Sequence, residues 1–474
     1  MTTFKRQFGA VIVGGGPAGL AVLLAAHKDG TLTDLLRQGL LIVEQGSHIG
    51  KGLIGNYEIT SDSTGYTFVD PLRVGGEDAL HRILETPIGR KIAAAGPNAI
   101  PLCEAGELLA LVGKAFESIL SRFPECAVMT STTAEYARLQ PDGSWLLAIT
   151  DANGRKRSVE AERVILATGA AQPPTRLEDE WVAGKPLMKR WGDRLLQSGD
   201  VIGTGGAARV SALLAGKANP KVAIVGGSTS GMSVAYTLMN RLEGVQFDEG
   251  GVTLFHRRPL RVYYTSPEEA IADGYTEFGP GDLCPITNRV FRFAGMRLDS
   301  RELLMQLFGI GGRELEPRMK LHPLQQEDAA AVEIIDSADL VVAALGYRPN
   351  ALRILDVDGA VIPLLAHTGP KAPMVDACCR VINNSRVPIP GLYGIGLAAG
   401  FVPRGKLGGE PSFIGQANGL WLWQNDVGSI IANAVLQRNT ATHATPRMAP
   451  KATYNPLHDS HAGQRTPLAF VTGD

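Results

Sequence analysis

Two glycine-rich turns, some two hundred residues apart, each stand between a short apolar run and a helix-forming stretch. The first is Gly14-Gly15-Gly16-Pro17-Ala18-Gly19. The run before it, residues 9–13, is apolar and β-branched, as a buried parallel strand should be. Residues 20–27 then read as a helix apolar on nearly every side. Residues 40–44 read as a second strand, ending on Glu44. Strand, turn, helix, strand is one βαβ unit, and the unit recurs. Residues 221–225 form its strand, Gly226-Gly227-Ser228-Thr229-Ser230-Gly231 its turn, 232–241 its helix and 251–255 its next strand. A chain that carries this unit twice is predicted to be an α/β protein with two Rossmann-like dinucleotide-binding domains.

The residues within each turn say what each domain binds. In the first, Gly14 permits the tight turn, Gly16 lets backbone approach a pyrophosphate, and Gly19 lets helix and sheet pack closely. The pyrophosphate is expected on the helix N-terminus, where free N–H groups and the helix dipole favour an anion. Glu44 would accept hydrogen bonds from the adenosine ribose and repel a 2′-phosphate, so this site suits FAD or NAD. In the second turn Ser228 replaces the middle glycine, Ser230 precedes the last, and the following strand runs into His256-Arg257-Arg258 instead of an acid. Guanidinium groups there suit the 2′-phosphate of NADPH. With NADPH in the second site, FAD is left for the first.

Three further strands close on glycine. Residues 163–169 end on Thr168 and Gly169, 339–347 on Gly346 and Tyr347, and 392–396 on Gly396. The predicted organisation is an FAD domain in two parts, 1–190 and 341–437, with an NADPH domain at 218–340 inserted through a linker at 191–217. Residues 438–474 read as an extended or disordered tail. His458 and His461 in it read as stray tail histidines, and no metal site is predicted. A hydrophobic fraction of 45% supports large cores, while a net charge of −1 gives no reason to expect nucleic acid or an anionic membrane as partner. No apolar run reaches the roughly 18 residues of a membrane span. A cytoplasmic homo-oligomer is expected. The five cysteines, Cys103, Cys126, Cys284, Cys378 and Cys379, include no C-x-x-C spacing.

Two dinucleotide domains, with an Ala-Thr-Gly segment such as residues 167–169 where the chain crosses between them, resemble the flavin disulfide reductase and flavin monooxygenase superfamily, up to about residue 435. The disulfide-reductase branch needs a redox cysteine pair, which is absent, and the F-x-G-x-x-x-H fingerprint of other flavin monooxygenases is not found before the second turn. The N-hydroxylating monooxygenases, the family of the lysine and ornithine hydroxylases, are more similar. The 226–230 turn resembles their G-x-G-Q-S, and Ala344-Leu345-Gly346-Tyr347 resembles their A-T-G-Y. Cys284-Pro285-Ile286-Thr287-Asn288-Arg289-Val290-Phe291 resembles their S-P-F-V-N-E-x-F. The resemblance implies that NADPH reduces the flavin and O2 forms a C4a-hydroperoxyflavin, which a neutral amine then attacks. Asn288 inherits the role of positioning substrate and nicotinamide. Lys51, Asn56 and Asp62 become candidate polar contacts beneath the flavin, and Arg404 and Lys406 candidates to close over it or bind substrate. The sequence departs from the family where Arg289 replaces Glu and where the family's substrate-carboxylate lysine is not found near residues 95–115, Pro101-Leu102-Cys103-Glu104 standing there. Positive charge at Arg289, Arg404 and Lys406 disfavours a diamine and predicts a small amine that bears an acidic group. An NADPH-dependent flavin reductase or oxidase without oxygen insertion, an S- or Baeyer–Villiger-type monooxygenase, and a non-catalytic dinucleotide-binding regulator are the alternatives.

Overall fold

The computed structural model describes residues 2–368, 372–417 and 419–437, and residues 438–474 lie outside the described part. The first glycine turn belongs to a six-stranded sheet. Its order is Arg380–Ile382, Pro388–Gly394, Val164–Leu166, Ala10–Val13, Leu40–Val43 and Ala127–Met129. Only the pairing of Arg380–Ile382 with Pro388–Gly394 is antiparallel. At the centre Val13 lies between Leu166 and Val43, so the first turn leaves the sheet at its carboxyl edge. Parallel strands covered on both faces must be apolar throughout, and Ala10, Val11 and Ile12 are fully buried. The helix Pro17–Lys28 is buried from Ala18 to His27. The final helix, Gly428–Leu436, lies against it where a Cβ on Gly428 would come 2.7 Å from the Ala21 carbonyl oxygen. Each fully buried Leu, Val or Ile here contributes about 1.5–3 kcal/mol.

The second turn belongs to a five-stranded parallel sheet. Its order is Leu195–Gln197, Leu340–Ala343, Val222–Val225, Val252–His256 and Met319–Pro323. This sheet starts earlier than the glycine motif suggests. Leu195–Gln197 is its edge strand, and the helices Ser198–Ile202 and Gly206–Leu214 follow, all within the stretch expected to be a linker. A three-residue edge strand offers too few positions for a period to be read.

A third, mixed sheet has no counterpart in the sequence reading. It runs Thr2–Phe8, Lys156–Ala161, Trp145–Asp151, Thr132–Leu139 and Arg353–Leu355. Its last strand comes from beyond the second sheet, so the chain returns to the side where it began. The two crossings lie side by side, with Ala170–Ala171 paired antiparallel to Arg348–Pro349. Asn350 clips them together: its backbone N–H donates to the Gly169 oxygen and its side-chain amide to the Thr168 oxygen, while the Thr168 hydroxyl donates to the Asn350 carbonyl.

The helix Leu102–Ser121 carries the loop after Glu44. Gly106 and Gly113, seven residues apart and therefore on one face, meet that loop backbone to backbone. A Cβ on Gly106 would stand 2.5 Å from the Gly55 Cα, and one on Gly113 would stand 2.1 Å from the Ile49 carbonyl oxygen. The loop is thereby pressed against the first turn, where the Gly52 Cα is the nearest atom to Gly16. No helix among the described residues is long and apolar enough to cross a membrane.

Candidate functional site

The two glycine turns are built alike. Gly14 has φ +106° and Gly226 φ +125°, a region that disfavours any residue with a Cβ. A Cβ on Gly14 would stand 2.2 Å from the Ala167 oxygen, and one on Gly226 would stand 2.2 Å from the Ala344 oxygen. Gly19 and Gly231 repeat the match, each lying against the carbonyl oxygen of its own Gly14 or Gly226. Each turn therefore passes tightly beside one crossing strand and opens a helix of 12 residues whose N-terminus has no side-chain cap. Free N–H groups at such an end suit a phosphate.

In the first cradle Glu44 is held by backbone. Its Oε2 accepts from the Gly15 N–H at 2.7 Å and its Oε1 from the Gly46 N–H at 2.6 Å. A carboxylate fixed this way keeps lone pairs for ribose hydroxyls. Gly396, with φ +76°, lies across from the helix start, its Cβ position 2.5 Å from the Ala18 methyl and 3.7 Å from the Trp423 ring. The Trp423 indole N–H is buried without a partner, and Trp423–Val427 is a π-helical turn. Such turns gather at functional sites, and no periodicity in the sequence marks this one. These residues fit a dinucleotide laid along the first turn.

The second cradle fits one as well. Ser228 is exposed at the N-cap and Ser230 lies in the first helical turn. Arg257 and Arg258 are exposed just past the strand Val252–His256, and neither pairs with a carboxylate among the described residues. The Arg257 guanidinium reaches the Trp181 carbonyl at 3.3 Å.

Between the cradles, the loop at 54–58 meets the second sheet. The Asn56 carbonyl accepts from the backbone and the hydroxyl of Thr204, and the Tyr57 and Tyr347 hydroxyls bond at 2.8 Å. Burial, then the Tyr57 hydroxyl, push the Tyr347 phenol far up, so it stays neutral. Arg176 caps the same crossing, donating to the carbonyls of Leu345 and Gly346. The Lys51 and Asn56 side chains are exposed.

The structure brings together two stretches that the sequence left apart. Residues 282–294 lie against residues 405–412. The buried Glu410 carboxylate accepts from the backbone N–H groups of Phe293 and Ala294. Arg292 donates to the Leu407 carbonyl at 3.0 Å, and the Ser412 hydroxyl to Asp282 at 2.6 Å. Cys284 is 1% exposed. Burial would push its thiol up, but the Thr287 hydroxyl, the Gly409 N–H, Arg292 and the Ile286 N–H outweigh it and bring it down to about 7. Asn288 and Phe291 both have positive φ, at 54° and 45°. Asparagine tolerates that region, whereas a buried phenylalanine there is strained, as backbone at functional sites often is. Phe291 is held by its N–H bond to the Asp282 carbonyl and by Arg261 above its ring at 5.1 Å. Asn288 is left exposed, with Arg289 next to it. Arg404 is exposed on the facing stretch, and Lys406 lies in the helical turn Gly405–Leu407.

Sequence reasoning missed Arg292 and Arg297. Arg297 lies 3.8 Å above the Tyr263 ring and donates to the Arg292 carbonyl. Desolvation, then the nearby charges of Arg289 and Arg292, hold its guanidinium below the usual value, against the pull of Tyr263 and Asp62. The only signal was the recurrence of arginine after Asn288. The five cysteines are all free, so no disulfide stands beside either cradle.

Residues 8–277 match the profile of the pyridine nucleotide-disulphide oxidoreductases. Over 435 residues the chain is 32% identical to the CMP-5′-(3-aminopropyl)phosphonate hydroxylase of Streptomyces rubellomurinus, covering 91% of this chain and 98% of that protein. Among solved structures it is similar to DfoA, a cadaverine monooxygenase bound to FAD from Erwinia amylovora. That match has TM-score 0.52 and 13% identity over 94% of this chain and 100% of the other, a likeness of fold. The ornithine hydroxylase PvdA of Pseudomonas aeruginosa matches with TM-score 0.49 and 12% identity over 90% and 98% of the two chains.

Proposed function

This chain belongs to the pyridine nucleotide-disulphide oxidoreductase family, and we propose that it is an NADPH- and O2-dependent flavin monooxygenase that N-hydroxylates a small amine carrying an acidic group. It is a flavin-dependent oxidoreductase of the hydroxylase kind. The observation that carries the substrate reading is the end-to-end match to a hydroxylase named for an aminopropylphosphonate nucleotide. The cysteines include no C-x-x-C pair and none closely spaced behind the first glycine turn, Cys378 and Cys379 being adjacent and free, which argues against the dithiol chemistry of the disulfide reductases.

The assignments follow the cradles. FAD lies along Gly14, Gly16 and Gly19 with its ribose on Glu44, on the domain of the six-stranded sheet, whose chain runs before Leu195 and resumes after Ala343. NADPH lies along Gly226, Ser228 and Ser230 with its 2′-phosphate at Arg257 and Arg258, on the domain of the second sheet, from Leu195 to Ala343. Thr168, Gly169, Gly346 and Tyr347 line the crossings between them, and Gly396 faces the start of the first helix at Ala18. When bound, the flavin supplies hydride acceptance from NADPH and activation of O2. The chain's own work is to bind and orient the amine. Asn288 presents it, the 282–294 segment is clamped in place by Glu410, and Arg289, Arg297 and Arg404 attract its acidic end. A guanidinium fork suits a phosphonate or phosphate as well as a carboxylate.

The test is aerobic turnover with NADPH and a set of amines: 3-aminopropylphosphonate, its cytidylyl derivative, amino-dicarboxylates and ornithine. Hydroxylamine should form stoichiometrically with NADPH consumption from an anionic amine. Exclusive turnover of ornithine would refute the acidic-substrate reading. Oxygenation of a thioether or ketone and of no amine would refute N-hydroxylation.

A further inference from the structure

Beside the second cradle the protein leaves a tryptophan in solvent. Trp181 is 58% exposed, the most of the five tryptophans, whereas Trp145 and Trp191 are fully buried. It opens a hairpin in which Trp181–Val182 pairs antiparallel with Lys185–Pro186. Neighbouring residues of a strand face opposite ways. Val182 turns inward and is buried in one cluster with Val225 and Phe255, from the ends of the strands Val222–Val225 and Val252–His256. Trp181 is thereby turned outward. On the far side of the hairpin a Cβ on Gly184 would meet the Glu327 side chain at 3.4 Å, just past the neighbouring strand Met319–Pro323. The hairpin is also held at its stem. The Leu187 N–H donates to the Glu180 carbonyl at 2.8 Å, and Arg176 grips the Glu180 carboxylate at 2.9 Å. Trp181 therefore stands on anchored backbone at the carboxyl ends of the strands that carry the second turn and the two arginines.

The adenosine end of a nucleotide in such a cradle lies past the strand that follows the glycine helix. Here that strand is Val252–His256, with Arg257 and Arg258 after it. Adenine and a 2′-phosphate leave adjacent carbons of one ribose, so the groups that hold them must stand side by side. A guanidinium and an exposed indole do so here, since Arg257 donates to the Trp181 carbonyl at 3.3 Å. An indole offers a broad π-face on which a purine stacks, and the stack takes apolar surface of both rings out of water. We propose that Trp181 is the platform for the adenine of NADPH, so that the hairpin and Arg257 together recognise the 2′-phosphoadenosine end of the nucleotide. The inference rests on reading residues 226–231 as the NADPH cradle. The two contacts divide the recognition. The arginines tell NADPH from NADH, whereas the indole holds both, because adenine is common to them.

The probe is adenosine 2′,5′-bisphosphate, which carries that end of the nucleotide and no nicotinamide. It is titrated by calorimetry into the FAD-loaded protein, alongside NADP+ and NAD+. Trp181→Ala should weaken all three roughly tenfold, the cost of losing one base stacked on an aromatic ring. The side chain lies largely in solvent, so its loss leaves the fold intact. Trp181→Phe keeps an aromatic face and should recover most of the affinity. An Arg257→Ala/Arg258→Ala double variant should weaken NADP+ and the bisphosphate and spare NAD+. Stacking also has an optical mark. The bisphosphate should quench indole emission in the wild type, and the quench should vanish in Trp181→Phe although binding persists, which a purely structural role for Trp181 would not produce. Unchanged affinity in Trp181→Ala, or a full quench retained in Trp181→Phe, overturns the platform. The cradle reading survives that result if the double variant loses its preference for NADP+ over NAD+. A double variant that keeps the preference overturns the cradle reading, and the platform with it.

Discussion

Not every glycine in a cradle has the same job, and Gly14 and Gly16 divide the work. Gly14 holds φ +106° with its Cβ position 2.2 Å from a backbone oxygen, so no side chain fits there without moving two strands. At Gly16 φ is ordinary, and the nearest atom to a Cβ would be the Gly52 Cα at 3.5 Å, a normal van der Waals distance. A methyl group at Gly16 fits the protein and intrudes only on what lies along the turn. Gly16→Ala should therefore melt within about 1 kcal/mol of wild type and be purified with little or no flavin. Gly14→Ala should lose flavin and several kcal/mol of stability together, since strain and clash both act. Thermal melts with flavin absorbance separate the cases. A yellow, fully loaded Gly16→Ala would mean that the dinucleotide does not follow the first turn.

At the scale of elements, the βαβ units were legible because strand, turn and helix each leave a local mark: a β-branched run, glycines at fixed offsets, an apolar stretch with helical length. The clamp between residues 282–294 and 405–412 was not legible. Its bonds join residues more than a hundred positions apart, and Glu410 looks like any surface acid in sequence. The mixed sheet escaped for a related reason, since its strands carry half-buried patterns such as that of Thr132–Leu139 and draw their last partner from Arg353–Leu355. Glu410 is 3% exposed and its carboxylate takes both backbone N–H groups that begin the turn after Phe291. Hydrogen bonds to a buried charge contribute about 1.5–3 kcal/mol. Glu410→Ala should cost about that much in chemical denaturation. It should also loosen the Asn288 segment, so that NADPH oxidation continues while the share of it coupled to product falls. If stability falls and coupling is untouched, the clamp serves only the fold, and Asn288 is positioned by something else.

The described residues build a six-stranded sheet, parallel but for one edge pairing, a five-stranded parallel sheet and a five-stranded mixed one, threaded so that the chain leaves the first sheet, builds the second and returns. The sequence announced the two nucleotide units but not what fastens them, because the fasteners are single side chains in loops. The Tyr57–Tyr347 hydroxyl pair is the plainest of them, joining the loop pressed down by the helix Leu102–Ser121 to the returning crossing. Both hydroxyls lie in partly buried surroundings, so removing one leaves the other short of a partner it can replace only with water. Tyr57→Phe and Tyr347→Phe should each cost about 1 kcal/mol in equilibrium unfolding. The double variant should cost less than the sum, because the second removal takes away a group already unpaired. The shortfall, the coupling energy, should be about 0.5–1 kcal/mol. The pair also reports on how the two units are joined. If the loop and the crossing are held as one body, all the variants should unfold in a single transition that shifts without broadening. Additive costs would mean that the hydroxyls do not depend on each other. A transition that splits in the double variant would mean that this contact, and not the paired crossings at Ala170–Ala171 and Arg348–Pro349, is what makes the two sheets unfold together.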